Sequence, residues 1–288
     1  MTSTPAVTSG TIALGDDLHV NRMGYGAMRL TGKGIFGPPA DYTEAIRVLR
    51  RAVELGVNFI DTADSYGPHI SEEIIAEALY PYPSTLVIAT KGGLERPGPD
   101  MWTPNGRPEH LRRALEGSLK RLKLDRIDLW QLHRIDPEVP EDEQFDVLAE
   151  FVREGKVRHV GLSEVGTDEI ARARRHVAIV SVQNKFNVAD RKWDYVVEYC
   201  EREGLAFIPW FPLGAGSLDH ERARKAVATV GKKHNAAELQ VALAWLLEHS
   251  SAMLVIPGTS KVSHLEENVA AAELQLDAED MALLDKSA

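Results

Sequence analysis

Apolar residues occur along the chain in short runs that alternate with amphipathic stretches. Eight runs rich in β-branched residues occupy positions 21–28, 57–61, 85–91, 127–133, 158–163, 179–184, 205–210 and 252–257. Near-continuous apolar runs of this length are typical of parallel strands covered on both faces. Apolar residues at helical spacing lie between them, over positions 42–55, 71–79, 108–122, 140–154, 168–175, 190–203, 236–249 and 262–272.

This alternation leaves two common architectures, an eight-fold barrel and an open doubly wound sheet. A doubly wound dinucleotide-binding sheet carries Gly-x-Gly-x-x-Gly after its first strand. Here Gly24 and Gly26 supply the first two glycines, but Arg29 stands in the third position. Because the strands are evenly spaced and no linker interrupts them, we predict an α/β fold of the (β/α)8 TIM-barrel type, as one domain over residues 1–288.

Two segments near the start of the chain have their own patterns. Residues 11–18 carry Gly15, Asp16 and Asp17 in the middle, a turn-forming triplet between apolar flanks. This pattern predicts an N-terminal β-hairpin at the barrel floor. Residues 31–40 contain three glycines and two prolines and predict a loop after the first barrel strand.

Composition narrows the classes of partner. Acidic side chains outnumber basic ones by 43 to 33, for a formal net charge of -10, which disfavours nucleic-acid binding. The single cysteine, Cys200, cannot form an intrachain disulfide, as is typical of proteins in reducing compartments. Residues 1–10 lack the pattern of a signal peptide, and the longest apolar run, 241–247, is too short to span a bilayer. We therefore expect a cytoplasmic monomer with no nucleic-acid or membrane partner.

Polar residues stand where several of the predicted strands end. The second strand ends at Asp61, shortly before Tyr66; the third ends at Lys91 and the fourth at His133. In a barrel these carboxyl ends meet at one mouth, where catalytic residues lie. Taken singly, each residue has an ordinary structural interpretation, such as a turn cap, rim packing, a surface lysine or a core histidine.

Together the four side chains suit the protonation of a carbonyl oxygen while a hydride reaches the carbon. A free tyrosine has a pKa of about 10, and a nearby ammonium lowers that pKa because it favours the phenolate. A carboxylate such as Asp61 would hold Lys91 charged and oriented. His133 would either donate to the same carbonyl oxygen as Tyr66 or share the proton.

Residues 56–67 read GVNFIDTADSYG and resemble the signature of the aldo-keto reductase family. The resemblance extends over positions 24–268. It implies a barrel enzyme that reduces a small aldehyde or ketone with NADPH. It also implies roles for four residues, with Tyr66 as the general acid, Lys91 and Asp61 as the pair that tunes its pKa, and His133 as the residue that orients the carbonyl.

The resemblance also implies an NADPH site. Residues near the nicotinamide and its ribose would be Gly26, Ala27, Met28, Ser163, Glu164, Gln183, Trp210 and Phe211. The pyrophosphate would meet Leu213 and Gly216. The adenine end would meet Gly258, Thr259, Ser260, Lys261, His264, Glu267 and Asn268, where the start of a helix offers backbone N–H groups to a phosphate.

Two of these positions depart from the pattern of many relatives. Glu164 stands where an asparagine is common, and a carboxylate can only accept from the nicotinamide carboxamide. His264 stands where an arginine commonly binds the 2′-phosphate, and a neutral imidazole lacks the bidentate guanidinium. We therefore expect Lys261 to carry a weakened preference for NADPH over NADH.

Aromatic residues at loop positions predict an apolar substrate pocket. They are Phe36, Trp102, Trp193 and Phe211. Residues 34–39 and 66–69 look like those of a bacterial branch that includes pyridoxal reductases, which makes pyridoxal a candidate substrate.

Two other classes of protein stay open. A metal-dependent barrel hydrolase would use Asp61, Asp64, His69 and His133, but no His-x-His strand and no His-Glu-x-x-His helix is present, so we predict no metal. A regulatory module of this fold would bind the nicotinamide cofactor as a redox sensor and turn over slowly. The four intact residues argue only weakly against it.

Overall fold

The computed structural model describes residues 4–212 and 220–288. Within these ranges the strands are β1 Thr11–Leu14, β2 Leu18–Asn21, β3 Tyr25–Gly26, β4 Phe59–Asp61, β5 Val87–Gly92, β6 Leu94–Gly98, β7 Met101–Pro104, β8 Ile127–Leu132, β9 Val157–Ser163, β10 Ile179–Gln183 and β11 Ala206–Phe207. The α-helices are α1 Tyr42–Glu54, α2 Ile70–Leu79, α3 Pro108–Leu122, α4 Glu141–Arg153, α5 Thr167–Ala173, α6 Asp194–Glu203, α7 Glu221–His234, α8 Glu238–His249, α9 Val262–Ala270 and α10 Ala278–Asp285. The predicted cofactor residues Leu213 and Gly216 lie outside the described residues.

A curled parallel sheet closes through the last predicted apolar run. Its seven strands follow the order β11-β10-β9-β8-β5-β4-β3. Residues 252–257 join the two edges, because Met253 forms a parallel bridge with Phe207 and Val255 forms one with Met23. Gly24 N also donates to the Val255 carbonyl at 2.8 Å. The predicted (β/α)8 barrel is confirmed, with an eighth strand that consists of isolated bridges.

The predicted β-hairpin is confirmed as β1 and β2, which pair antiparallel. Leu14 and Val20 are fully buried and belong to the apolar cluster inside the barrel. The turn residue Asp17 accepts hydrogen bonds from Arg158 at 2.8 Å and from His159 at 2.7 Å. Both donors lie near the start of β9, so the hairpin covers the amino-terminal ends of the strands.

Helix α1 shows how the outer helices dock against the sheet. Asp41 caps the helix, since its side chain accepts from Glu44 N at 2.8 Å, as N-cap residues typically do. Buried apolar residues recur every three or four positions and form one face, at Ala45, Val48, Leu49 and Ala52. Burial of each valine or leucine contributes about 1.5–3 kcal/mol relative to exposure.

Three helical features differ from the sequence prediction. Helix α6 begins at Asp194 rather than at position 190, because Asn187 Oδ1 accepts from Ala189 N and Asp190 N and holds a turn there. Helices α7 and α10 are absent from the prediction. Ser71, the first residue of the helical pattern 71–79, lies inside α2, and its hydroxyl is hydrogen-bonded to Thr62 Oγ1 at 2.8 Å.

Candidate active site

The carboxyl ends of β4, β5 and β8 bring the four predicted side chains together. Asp61 ends β4, Lys91 lies near the end of β5, His133 directly follows β8, and Tyr66 lies in the loop after β4. Lys91 Nζ donates to Asp61 Oδ2 at 2.6 Å and to the Tyr66 hydroxyl at 3.4 Å. The rings of Tyr66 and His133 meet edge to face with centroids 5.8 Å apart. These contacts place a phenol, an ammonium, a carboxylate and an imidazole at one point.

Lys91 is a fully buried charge, and its partners explain why it is tolerated. Its side chain is 0% exposed and that of Asp61 is 3% exposed. Burial lowers the pKa of the Lys91 ammonium, but Asp61 and Tyr66 outweigh that effect and raise the pKa above its usual range. Nζ also donates to the Thr62 carbonyl at 2.8 Å. Lys91 is therefore charged at neutral pH.

Two glutamine amides hold the second oxygen of Asp61. Gln131 Nε2 donates to Oδ1 at 3.1 Å, and Gln183 Nε2 donates to it at 2.9 Å. Gln183 thus aims its amide N–H groups at the carboxylate, which leaves its side-chain oxygen as the group that can face a ligand. Sequence reasoning missed Gln131, although a polar residue within an apolar strand is the signal for a buried partner.

Burial controls the protonation of Tyr66 and His133. Desolvation raises the pKa of Tyr66 above its ordinary value, although Lys91 opposes it, so burial outweighs the lowering that we expected from the ammonium. Desolvation, with Lys91, Arg134 and Arg96, lowers the pKa of His133 well below its ordinary value. At neutral pH the site therefore holds a protonated phenol and a neutral imidazole.

Part of the predicted loop after β5 is the hairpin β6–β7, which borders the site. Its residue Trp102 meets Tyr66 edge to face at 6.3 Å between ring centroids, and it meets His133 at 6.2 Å. The structure therefore places Trp102 at the mouth, beside the phenol and the imidazole. Sequence reasoning missed the hairpin because residues 94–104 contain three prolines and lack clean alternation.

Arg96 joins this hairpin to two neighbouring loops. Its guanidinium donates to four backbone carbonyls at 2.8–3.0 Å, those of Gly34, Ile35, Ser65 and Met101. It also stacks on Trp102 at 3.5 Å from the ring centroid. Arg96 therefore positions the aromatic wall of the mouth. The sequence did not predict that Arg96 positions this wall, because an arginine between a predicted strand and a predicted helix is usually solvent-exposed.

The structure brings only some of the predicted substrate residues to the mouth. Phe36 bridges Gly67 and lies 5.8 Å from the Arg96 guanidinium, so it belongs to the same wall as Trp102. Trp193 does not, because it is buried in the main apolar core with its ring 5.9 Å from that of Tyr195. We therefore leave Trp193 out of the pocket.

A second group of predicted residues lies at the ends of β9 and β11. Glu164, directly after β9, has a positive φ of 58°. Its Oε1 accepts from Trp210 Nε1 at 2.7 Å and from Lys185 N at 2.6 Å. This oxygen thus fixes the indole of Trp210, a use that the sequence did not predict. Phe211 also has a positive φ and packs 5.8 Å from Trp210.

Arg134 is a further residue that sequence reasoning missed. It directly follows His133, and its Nη1 donates to Ser163 Oγ at 3.0 Å and to the His133 carbonyl at 2.5 Å. Its guanidinium carbon lies 5.9 Å from the Trp210 ring centroid. Arg134 therefore joins the backbone of His133 to two of the predicted nicotinamide residues, Ser163 and Trp210.

The first and last barrel strands approach closely at two predicted cofactor glycines. A Cβ at Gly26 would meet the Ile256 carbonyl at 2.6 Å, and a Cβ at Gly258 would meet the Gly26 carbonyl at 2.7 Å. The Tyr25 hydroxyl donates to the Thr259 carbonyl at 2.6 Å and ties the same two segments. Both glycines are therefore required by backbone packing. Of the residues after Gly26, Ala27 is buried and Met28 is half-buried.

The predicted adenine-end residues surround the start of α9. Ser260, Lys261, His264 and Glu267 are exposed, and Asn268 is buried. The first N–H of the helix, at Val262, donates to Glu44 Oε1 at 3.0 Å. This corrects part of the expectation that the helix start offers free N–H groups, because a carboxylate of the protein already uses one.

Residues 22–288 match the model of the Aldo/keto reductase family, and the chain belongs to this family and is an oxidoreductase. No helix in the described part of the chain is both long and apolar enough to cross a membrane. Within the same residues, no group of three or more His, Cys, Asp and Glu side chains is arranged to hold a metal ion.

Relatives with similar sequences include oxidoreductases. The chain is 53% identical over 281 residues to an uncharacterized oxidoreductase of Schizosaccharomyces pombe, covering 98% of this chain and 90% of that protein. It is 44% identical over 286 residues to the pyridoxine 4-dehydrogenase of Escherichia coli, covering 97% and 98%. Among solved structures, an aldo/keto reductase of Klebsiella pneumoniae in complex with NADP and acetate aligns with a TM-score of 0.79 at 25% identity, covering 96% of this chain and 94% of that one.

Proposed function

We propose that this chain reduces a small aromatic aldehyde or ketone to the alcohol with NADPH, and that Tyr66 donates the proton. The observation that carries the proposal is the contact of Lys91 Nζ with both Asp61 and the Tyr66 hydroxyl. When the phenol gives up its proton, negative charge develops on the phenolic oxygen, and a buried ammonium beside it stabilises that charge.

The protein's own residues divide the work of proton delivery. Tyr66 is protonated before the reaction and donates its proton to the carbonyl oxygen. Lys91 then stabilises the phenolate, and Asp61 holds Lys91 in place. His133 is neutral, and Ser65 Oγ lies 3.3 Å from its Nδ1. If the serine donates to Nδ1, the N–H at Nε2 points a second donor at the same carbonyl oxygen.

The residues of the second group fit a nicotinamide cofactor. NADPH would supply the hydride to the carbonyl carbon. Trp210 is held by Glu164 in one orientation and presents a half-buried aromatic face, which suits stacking on the nicotinamide. Ser163 and the side-chain oxygen of Gln183 would hold the carboxamide. The NADP complex of the Klebsiella pneumoniae relative supports this choice of cofactor.

Pyridoxal is the candidate substrate that two observations support. Trp102 and Phe36 form an aromatic wall beside Tyr66, which suits a flat aromatic aldehyde. The Escherichia coli relative is a pyridoxine 4-dehydrogenase, and oxidation of pyridoxine at that carbon is the reverse of pyridoxal reduction.

The proposal is tested by following NADPH oxidation by its absorbance with pyridoxal, 4-nitrobenzaldehyde, methylglyoxal and phenanthrenequinone, with NADH in parallel. We expect turnover with at least one aromatic carbonyl and a larger kcat/KM with NADPH. Tight NADPH binding without turnover of any of the four would contradict the proposal and favour the regulatory module.

Replacement of Lys261 by alanine is expected to weaken NADPH much more than NADH. In this proposal the exposed ammonium pairs with the 2′-phosphate, and loss of one charge-assisted hydrogen bond corresponds to about tenfold or more in affinity. Fluorescence titration should show about a tenfold higher Kd for NADPH and less than a twofold change for NADH. Lys120→Ala, at an exposed lysine in the last turn of α3, is the matched control. An equal loss for both cofactors would remove Lys261 from the 2′-phosphate site.

A further inference from the structure

Two guanidinium groups border the mouth of the site without a carboxylate bound to either. Among residues 4–212 and 220–288, no ion pair includes Arg96 or Arg134, whereas Lys91 is paired with Asp61. Arg96 uses its N–H groups on backbone carbonyls. Arg134 uses one nitrogen on Ser163 and on the His133 carbonyl. The hydrogen bonds of both guanidinium groups thus go to neutral acceptors, and neither group is in direct contact with a carboxylate of the described residues.

Two carboxylates act on these guanidinium groups from beyond ion-pair distance. Asp100 raises the pKa of Arg96 and Glu164 raises the pKa of Arg134, in each case against a larger lowering by burial. Glu164 Oε1 is hydrogen-bonded to Trp210 and Lys185 N, and no contact within ion-pair distance links Glu164 to Arg134. The pair Lys91–Asp61 is neutral overall, and His133 is uncharged. Arg96 and Arg134 therefore border the mouth of the site with no carboxylate of the described residues in ion-pair contact, in a chain whose net charge is -10.

Arg134 is the guanidinium that has access to a substrate. It is half-buried, and it directly follows His133, whose imidazole lies beside the phenol. Arg96 lies behind Trp102, since it stacks on that ring at 3.5 Å. Among residues 4–212 and 220–288, the hydrogen bonds of Arg134 are made by Nη1 alone. A half-desolvated arginine with further N–H donors binds a carboxylate or another anionic oxygen strongly, because the guanidinium presents several donors in one plane.

We propose that Arg134 makes the site selective for carbonyl substrates that carry an anionic oxygen, either a carboxylate or an ionised ring hydroxyl. This inference rests on the proposed function, since it names the substrate class of the same site. The anionic group would pair with Arg134, while the carbonyl oxygen meets Tyr66 and His133. Arg134 acts here on substrate choice and not on the proton transfer itself.

The test compares matched charged and neutral substrates. The 2-, 3- and 4-carboxybenzaldehydes are measured against their methyl esters, and pyridoxal against its 3-O-methyl ether. We expect at least one anionic substrate to exceed its neutral partner in kcat/KM by about tenfold or more at low salt. The difference should shrink as salt screens the attraction. A preference for a carboxybenzaldehyde over its ester would indicate recognition of a carboxylate. A preference for pyridoxal over its ether would indicate recognition of an ionised hydroxyl.

Arg134→Gln should abolish that preference, with a fall of about tenfold in kcat/KM for the anionic substrate, mostly in KM. The ratio of kcat/KM for the anionic substrate to that for its neutral partner should fall toward one in Arg134→Gln, and Arg134→Lys should retain part of the preference. Arg153→Gln, at the end of α4, removes the same charge elsewhere and should leave the ratio unchanged.

The possible failures are distinguishable. If wild-type enzyme reduces the neutral esters as well as the acids, or if Arg134→Gln slows both equally, the selectivity is wrong while the reductase stands. If neither member of any pair is reduced, the proposed function itself is wrong.

Discussion

Replacement of Tyr66 by phenylalanine is expected to lower kcat by about a hundred- to ten-thousand-fold, the usual contribution of a positioned general acid. The Tyr66 hydroxyl is the atom that Lys91 Nζ contacts at 3.4 Å. Its removal takes away the proton donor while the aromatic ring still packs against Trp102. Steady-state kinetics with saturating NADPH measure the effect, and fluorescence titration should show an NADPH Kd within twofold of wild type.

Tyr82→Phe is the matched control for this substitution. It removes one hydroxyl that donates to the Leu122 carbonyl at 2.8 Å, away from the four central residues. We expect its kcat to stay within twofold of wild type. Retention of kcat in Tyr66→Phe would show that the proton comes from another group.

Replacement of Lys91 by methionine is expected to destabilise the protein by about 3–5 kcal/mol, the range for breaking a buried ion pair on one side. Asp61 would be left almost fully buried with a charge and no cation. Its two remaining donors, the amides of Gln131 and Gln183, are neutral and do not replace the ammonium. Urea denaturation followed by circular dichroism measures the loss of unfolding free energy.

Two variants make this prediction specific to the buried pair. Lys156→Met breaks a surface ion pair with Glu116 and should cost less than about 1 kcal/mol. The double variant Lys91→Met with Asp61→Asn removes both charges and should recover a large part of the lost stability. A single variant as stable as wild type would mean that Asp61 has another counter-charge or is protonated. A double variant no better than the single one would exclude the unpaired charge as the cause.

The strand pattern of the barrel was predictable because burial on both faces leaves a strong signal in composition. Residues 57–61 and 127–133 read as apolar runs that end in a polar residue, and in the structure they are β4 and β8 with Asp61 and His133 at their ends. The hairpin β6–β7 was not predictable in this way. It is held by hydrogen bonds from Arg96 to other loops, and such tertiary contacts leave no periodicity in its own sequence.

The residues of the candidate site also fall into two groups, those that the sequence pattern predicted and those that depend on tertiary contacts. Residues that end strands, such as Lys91 and Ser163, lie at the mouth because parallel strands align their carboxyl ends. Residues whose role depends on a partner from another element were missed, as with Gln131 on Asp61 and Glu44 on the start of α9. The prediction that Trp193 lines the substrate pocket was wrong for a related reason. The sequence pattern around an aromatic residue does not show whether its side chain faces a pocket or the core.

In the proposed reaction, a hydride passes from NADPH to a carbonyl carbon and the proton is supplied at Tyr66. The most direct measurement is the mass of the alcohol formed from pyridoxal with NADPH deuterated at C4, prepared separately with the label on each face. The account predicts that one of the two labelled cofactors adds a single deuterium at the former carbonyl carbon, and that Tyr66→Phe suppresses its formation. Alcohol that carries no deuterium from either cofactor, or no alcohol at all from any carbonyl that the protein binds, would contradict it.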